Sequence, residues 1–158
     1  MMVRWFGILG RPTMSEYATP SNNVPSILNP VIYFRISAFA LGAVAILGFI
    51  MNLIDGGKVS TSLGAGNTFL NFTYAHDAVH LVLAGAAFLF GFGNLAGSTV
   101  KMFAIIFGVV YAGLGVIGFF MFTGSSGDTF LALTPALNVV HLLLGGYALT
   151  SGIVAKFD

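Results

Sequence analysis

The sequence predicts an all-α fold: a polytopic bundle of four transmembrane helices, built from two parallel two-helix repeats, with both termini cytoplasmic. Its composition is 57% hydrophobic and 7% charged, with a mean hydropathy of +0.95. A water-soluble globule usually carries about 25% charged residues. Four apolar stretches, roughly Val31–Leu53, Tyr74–Phe92, Val100–Phe122 and Pro135–Ala155, approach or exceed the length of about 20 residues that crosses a bilayer. The chain also repeats itself. Residues 68–91 (TFLNFTYAHDAVHLVLAGAAFLFG) align without a gap with residues 129–152 (TFLALTPALNVVHLLLGGYALTSG), offset by 61 and identical at 12 of 24 positions.

The organisation follows in order: a tail over residues 1–29, then a transmembrane domain over 30–158 with repeat one at about 31–92 and repeat two at about 100–155. The proline-rich tail is expected to be extended. Its apolar run Trp5–Gly10 is too short for a signal peptide, Arg4, Trp5, Phe6 and Arg11 suit a headgroup layer, and Met14 is an alternative start. The first span opens at Asn29-Pro30 and the fourth at Thr134-Pro135, each a capping side chain before a proline that needs no N–H partner. By the repeat, Thr73 caps the second span. Segments one and three are related through Gly48-Phe-Ile-Met and Gly118-Phe-Phe-Met.

The stretches Asp55–Asn67, Gly93–Thr99 and Gly124–Asp128, rich in Gly, Ser, Thr and Asn, read as surface loops. Arg4, Arg11, Arg35, Lys101 and Lys156 fall on one side against Lys58 on the other, which places both termini in the cytoplasm. An even number of helices per repeat makes the halves insert in the same direction about an axis along the membrane normal. Arg35 is read as snorkelling to the cytoplasmic surface, and Tyr33 and Tyr74 as part of an aromatic belt. Pairs such as Ala38/Gly42, Ala104/Gly108 and Gly108/Ala112 are small-residue contact signals.

Chemistry concentrates on one seam per repeat. Asp77, His80, Ala84, Ala87 and Gly91 share a face of the second helix, as Asn138, His141, Gly145, Ala148 and Gly152 share a face of the fourth. Each histidine lies about 10 Å along its helix from the capping threonine at about 1.5 Å per residue. Two readings compete. In one, Asp77 and Asn138 bond the histidines three residues on, and the small residues pack helices two and four together. In the other, His80 and His141 are candidate axial ligands of a haem or chlorophyll, as one bis-histidine site or two single-histidine sites. Asp77 and Asn138 then stand behind them, and the small residues leave room for the flat ring. His76 and Asp77 read as first-turn residues wetted at the interface. No other metal site is expected, and zero cysteines exclude thiolate ligands and disulfides.

No metalloprotease helix, serine elbow, phosphate loop or paired membrane carboxylate occurs, so an enzyme is not expected, and no basic cluster points to nucleic acid. At the motif level, Asp77-Ala-Val-His80-Leu-Val-Leu-Ala-Gly85 and Asn138-Val-Val-His141-Leu-Leu-Leu-Gly-Gly146 resemble the four-helix prokaryotic membrane family catalogued as domain of unknown function 4383. The resemblance spans most of residues 31–155 and implies a fold and a prokaryotic cytoplasmic-membrane location, or a thylakoid in an oxygenic phototroph, without an activity. The expected role is an accessory or assembly subunit of a larger respiratory or photosynthetic membrane complex. Its partners would be lipid and either other integral subunits or further copies of itself. The alternatives are a haem- or chlorophyll-binding subunit and a small channel or transporter.

Overall fold

The computed structural model describes residues 25–54, 60–63, 70–121 and 133–157. Four α-helices follow one another, α1 Pro30–Ile54, α2 Tyr74–Phe92, α3 Gly97–Met121 and α4 Pro135–Val154, each long and apolar enough to cross a membrane. The chain therefore has the build of a multi-pass membrane protein. Between α1 and α2 lie two short strands, β1 Ser60–Leu63 and β2 Leu70–Thr73, paired antiparallel with Ser60 opposite Thr73 and Leu63 opposite Leu70.

The caps form as the sequence requires. Asn29 Oδ1 accepts from the Val31 amide at 2.9 Å, Thr73 Oγ1 from the His76 amide at 3.1 Å and Thr134 Oγ1 from the Leu137 amide at 3.3 Å. Each satisfies one of the amides that a helix start leaves without an intrahelical acceptor. At the other end, cationic side chains reach carbonyls of the neighbouring helix. Arg35 Nε of α1 donates to Gly91 O of α2 at 2.8 Å, and Lys101 Nζ of α3 donates to Ala155 O just after α4 at 2.9 Å. Both place positive charge at the negative end of a helix dipole.

Helices pack as two pairs, α1 with α2 and α3 with α4. The contacts run through glycine. A Cβ at Gly91 would lie 2.9 Å from the Arg35 nitrogen and 3.1 Å from the Phe34 carbonyl carbon, and one at Gly108 would lie 2.9 Å from Gly145 O. A Cβ at Gly152 would approach the Ile105 nitrogen to 3.1 Å. These are backbone-on-backbone approaches that only hydrogen at Cα permits. Aromatic rings join the two pairs: Phe34 of α1 meets Phe107 of α3 edge-on at 5.5 Å, and Phe90 of α2 stacks on Phe103 of α3 at 4.2 Å. The interior core also includes Tyr33, Leu41, Val100 and Tyr111.

The structure corrects several expectations. The first loop contains the β1–β2 hairpin, so the described fold is not purely helical: the chain pairs its own backbone groups beside the apolar layer, where unpaired amides are costly. Helix α3 begins at Gly97 and not Val100, because the Ala96 carbonyl accepts from the Thr99 and Val100 amides at 3.0 and 3.1 Å and polar Ser98 and Thr99 are absorbed into a first turn that hydropathy overlooks. The end of the tail is a 3-10 turn, Ser26–Leu28, closed by Leu28 N to Pro25 O at 2.8 Å; residues 1–24 and the expected loop 124–128 lie outside the described residues. Tyr33 is no belt residue. It is 1% exposed and packs edge-on against Phe34 and Tyr147 at 5.2 and 5.1 Å, while the Tyr147 hydroxyl donates to Ile27 O at 2.6 Å.

Adjacent glycines of α4 provide a test of the packing. A Cβ at Gly145 meets the Ala112 backbone and Gly108 O, whereas one at Gly146 meets nothing within 4 Å. Gly145→Ala is expected to lower stability by about 1–3 kcal/mol through overpacking. Gly146→Ala is expected to be neutral or to stabilise by up to about 1 kcal/mol through helix propensity. Unfolding of the two variants in mixed detergent micelles measures the contrast, and equal effects would contradict the close α3–α4 crossing.

Candidate functional site

The predicted seams coincide with the buried faces of their helices. Asp77, His80, Ala84, Ala87 and Gly91 are all buried on α2, and Asn138, His141, Gly145, Ala148 and Gly152 on α4. The seams do not face each other along their length. Each packs into its own partner: Gly48 of α1 sits directly against the Asp77 carboxylate, and Gly118 of α3 against the Asn138 amide. The space that the small residues were expected to leave for a flat ring is filled by α1 and α3.

Asp77 is 0% exposed and does not pair with His80; its Oδ2 accepts from Asn52 Nδ2 of α1 at 3.2 Å. Asn138, also 0% exposed, does not pair with His141, and neither of its amide atoms has a hydrogen-bond partner among the described residues. The reading in which these residues bond the histidine three positions on is therefore replaced by helix-to-helix contacts at Gly48, Asn52 and Gly118. A turn of three residues places two side chains on one face, but a glycine opposite draws the shorter side chain sideways into the neighbouring helix.

The histidines, released from those partners, converge. His76, His80 and His141 are 5%, 6% and 5% exposed, and one candidate donor nitrogen from each lies within 4.8 Å of the other two. The imidazoles of His76 and His80, one helical turn apart on α2, have centroids 4.2 Å apart, and His141 of α4 stands 6.3 Å from His76. They line a small pocket with Val79, Leu83, Tyr111, Leu114 and Leu133. Tyr111 of α3 meets the His141 ring edge-on at 5.5 Å, and its hydroxyl, like Nδ1 of His80 and of His141, is buried without a hydrogen-bond partner among the described residues. No carboxylate belongs to the cluster among the described residues.

The structure thus brings the two predicted ligands, His80 and His141, to one pocket and sends the two predicted supporting residues, Asp77 and Asn138, to the helix-pair interfaces. It adds His76, which the sequence assigned to the wetted interface: the i, i+4 spacing to His80 was the signal, since it sets both rings on one face. It also adds Asn52, signalled by being the one asparagine in the apolar run of α1, where a polar side chain is costly unless partnered.

The Asn52–Asp77 contact can be measured by a double-mutant cycle. Asn52→Leu leaves a buried carboxylate without its donor and is expected to cost about 1–3 kcal/mol; in an Asp77→Asn background the same change is expected to cost less, because no charge is left unpartnered. Equal costs in both backgrounds would show the pair to be uncoupled. No family model, no curated protein and no solved structure matches this chain.

Proposed function

We propose that this chain is a non-enzymatic integral accessory subunit that works within the plane of a membrane and carries a ligand in its histidine-lined pocket. The carrying observation is the convergence of His76, His80 and His141 from two helices that belong to different packed pairs. The buried Nδ1 atoms of His80 and His141 have no hydrogen-bond partner among the described residues, and in an apolar bundle such atoms cost free energy unless something binds them.

The rest of the molecule suits lateral assembly. Its outward faces are apolar on every helix, as at Phe39, Leu53, Val82, Phe120 and Leu143, which are 68%, 67%, 72%, 82% and 68% exposed. Such faces fit lipid and other membrane helices, so recognition by integral partners or a second copy is favoured over recognition by a soluble protein or a nucleic acid. The two helix pairs repeat each other's contacts, Gly48 on Asp77 with Gly118 on Asn138, and Arg35 on Gly91 with Lys101 on Ala155. These correspondences support a parallel duplication. The basic end of the bundle is then the cytoplasmic one, and the histidine cluster lies toward the opposite end.

A porphyrin or chlorin held axially by His80 and His141 is the second reading, favoured by their sharing a pocket. A channel or transporter is disfavoured, because Phe34, Phe90, Phe103 and Phe107 pack against one another across the interior beyond the histidines and leave no polar path among the described residues. A tagged chain extracted from its native membrane in polymer nanodiscs is expected to co-migrate with other integral membrane proteins and to release them only in harsher detergent. Migration as an isolated single chain in the nanodiscs would sink the accessory role.

A further inference from the structure

Resting on the reading of the histidine pocket as a binding site, we infer that His76, His80 and His141 together bind a single bare late d-block ion, of the copper or zinc class, without a macrocycle. The donor set points to the metal class. Three imidazole nitrogens suit zinc, copper, nickel and iron, whereas calcium and magnesium take oxygen ligands, and no carboxylate joins this cluster among the described residues.

The distances agree with one ion. Metal–nitrogen bonds of about 2.0–2.1 Å on a tetrahedral centre place three nitrogens about 3.4 Å apart, so donors already within 4.8 Å need only a small imidazole rotation. The buried Nδ1 atoms of His80 and His141 have no hydrogen-bond partners among the described residues, so these nitrogens are not committed to acceptors there. Three protein ligands plus an open fourth position is the arrangement of a site that exchanges or presents a ligand, as opposed to a closed structural one. Neutral ligands in an apolar bundle also favour a centre of low net charge: Cu(I), or Zn(II) carrying an anion in the fourth position.

The same geometry disfavours a macrocycle. The ring of His76 stands 4.2 Å from that of His80 and takes up the space beside that imidazole. Helices α1 and α3 occupy the sides of the seams on which the small residues lie. A bis-histidine porphyrin would use two of the three converging imidazoles, whereas a three-nitrogen ion site uses all three.

The full-length chain, purified from its native source in mild detergent, is analysed for metal content and visible absorption. It is then stripped with chelator and titrated with Co(II), with Zn(II) as competitor. The expected result is about one d-block ion per chain, a tetrahedral Co(II) band that Zn(II) abolishes, and loss of affinity in each of His76→Gln, His80→Gln and His141→Gln. That loss should exceed the roughly 10–100-fold that removal of an outer-shell partner produces. X-ray absorption of the Zn(II)-loaded wild-type protein, expected to show three imidazole nitrogens at about 2.0–2.1 Å, tests the site without a variant that has to fold. A porphyrin or chlorin band that survives His76→Gln and disappears in His80→Gln and His141→Gln would overturn the bare-ion inference and leave the pocket as a cofactor site. Absence of metal, chromophore and Co(II) uptake would overturn the inference and the binding role of the pocket together.

Discussion

Close backbone contact within each helix pair is the constraint on which the other features depend. Helices in lipid gain little from the hydrophobic effect against one another, since acyl chains are as apolar as leucine; they associate through dispersion at short range and through polar contacts. Glycines at positions 48 and 91 bring α1 and α2 together, and glycines at 108, 118, 145 and 152 do the same for α3 and α4. At Gly48 and Gly118 the helix has room for a polar side chain from its neighbour, and there Asp77 and Asn138 are lodged with 0% exposure. Once those side chains are committed to α1 and α3, the histidines on the same faces are left to meet each other across the bundle.

The interior is consequently divided along the helix axes. At the end bearing the β1–β2 hairpin it is polar, with Asn52, Asp77, His76, His80, Asn138 and His141 all buried. Beyond them it is aromatic, with Phe34, Phe90, Phe103 and Phe107 packed ring against ring. At the far end Arg35 and Lys101 engage the carbonyls where α2 and α4 finish. The aromatic layer in the middle separates the histidine cluster from the basic end of the bundle.

Much of this architecture is legible in the chain. The four spans, the caps at Asn29, Thr73 and Thr134, and the seam positions follow from local rules: apolar length, the hydroxyl or amide before a helix start, and the 3.6-residue period that gathers every third or fourth residue on one face. The β hairpin is not legible, because Ser60–Leu63 and Leu70–Thr73 lack the long alternation that announces a strand, and their pairing is fixed by where α1 ends and α2 begins. Tyr33 also defeats a local reading, since nothing in its neighbourhood in sequence says that Tyr147, more than a hundred residues later, packs against it.

The sequence by itself determined that the chain has four membrane-length helices, that each seam is its helix's buried face, and that His80 and His141 occupy equivalent places, because periodicity and internal identity are properties of one dimension. Only the tertiary structure decided which neighbour each seam residue meets. Glycine opposite Asp77 and Asn138 takes those side chains out of reach of the histidines, and the arrangement of the two helix pairs brings His76 and His80, already one turn apart on α2, toward His141. Such choices depend on which helix approaches which, at what distance, and a spacing rule along one helix contains no information about the helix that will lie against it.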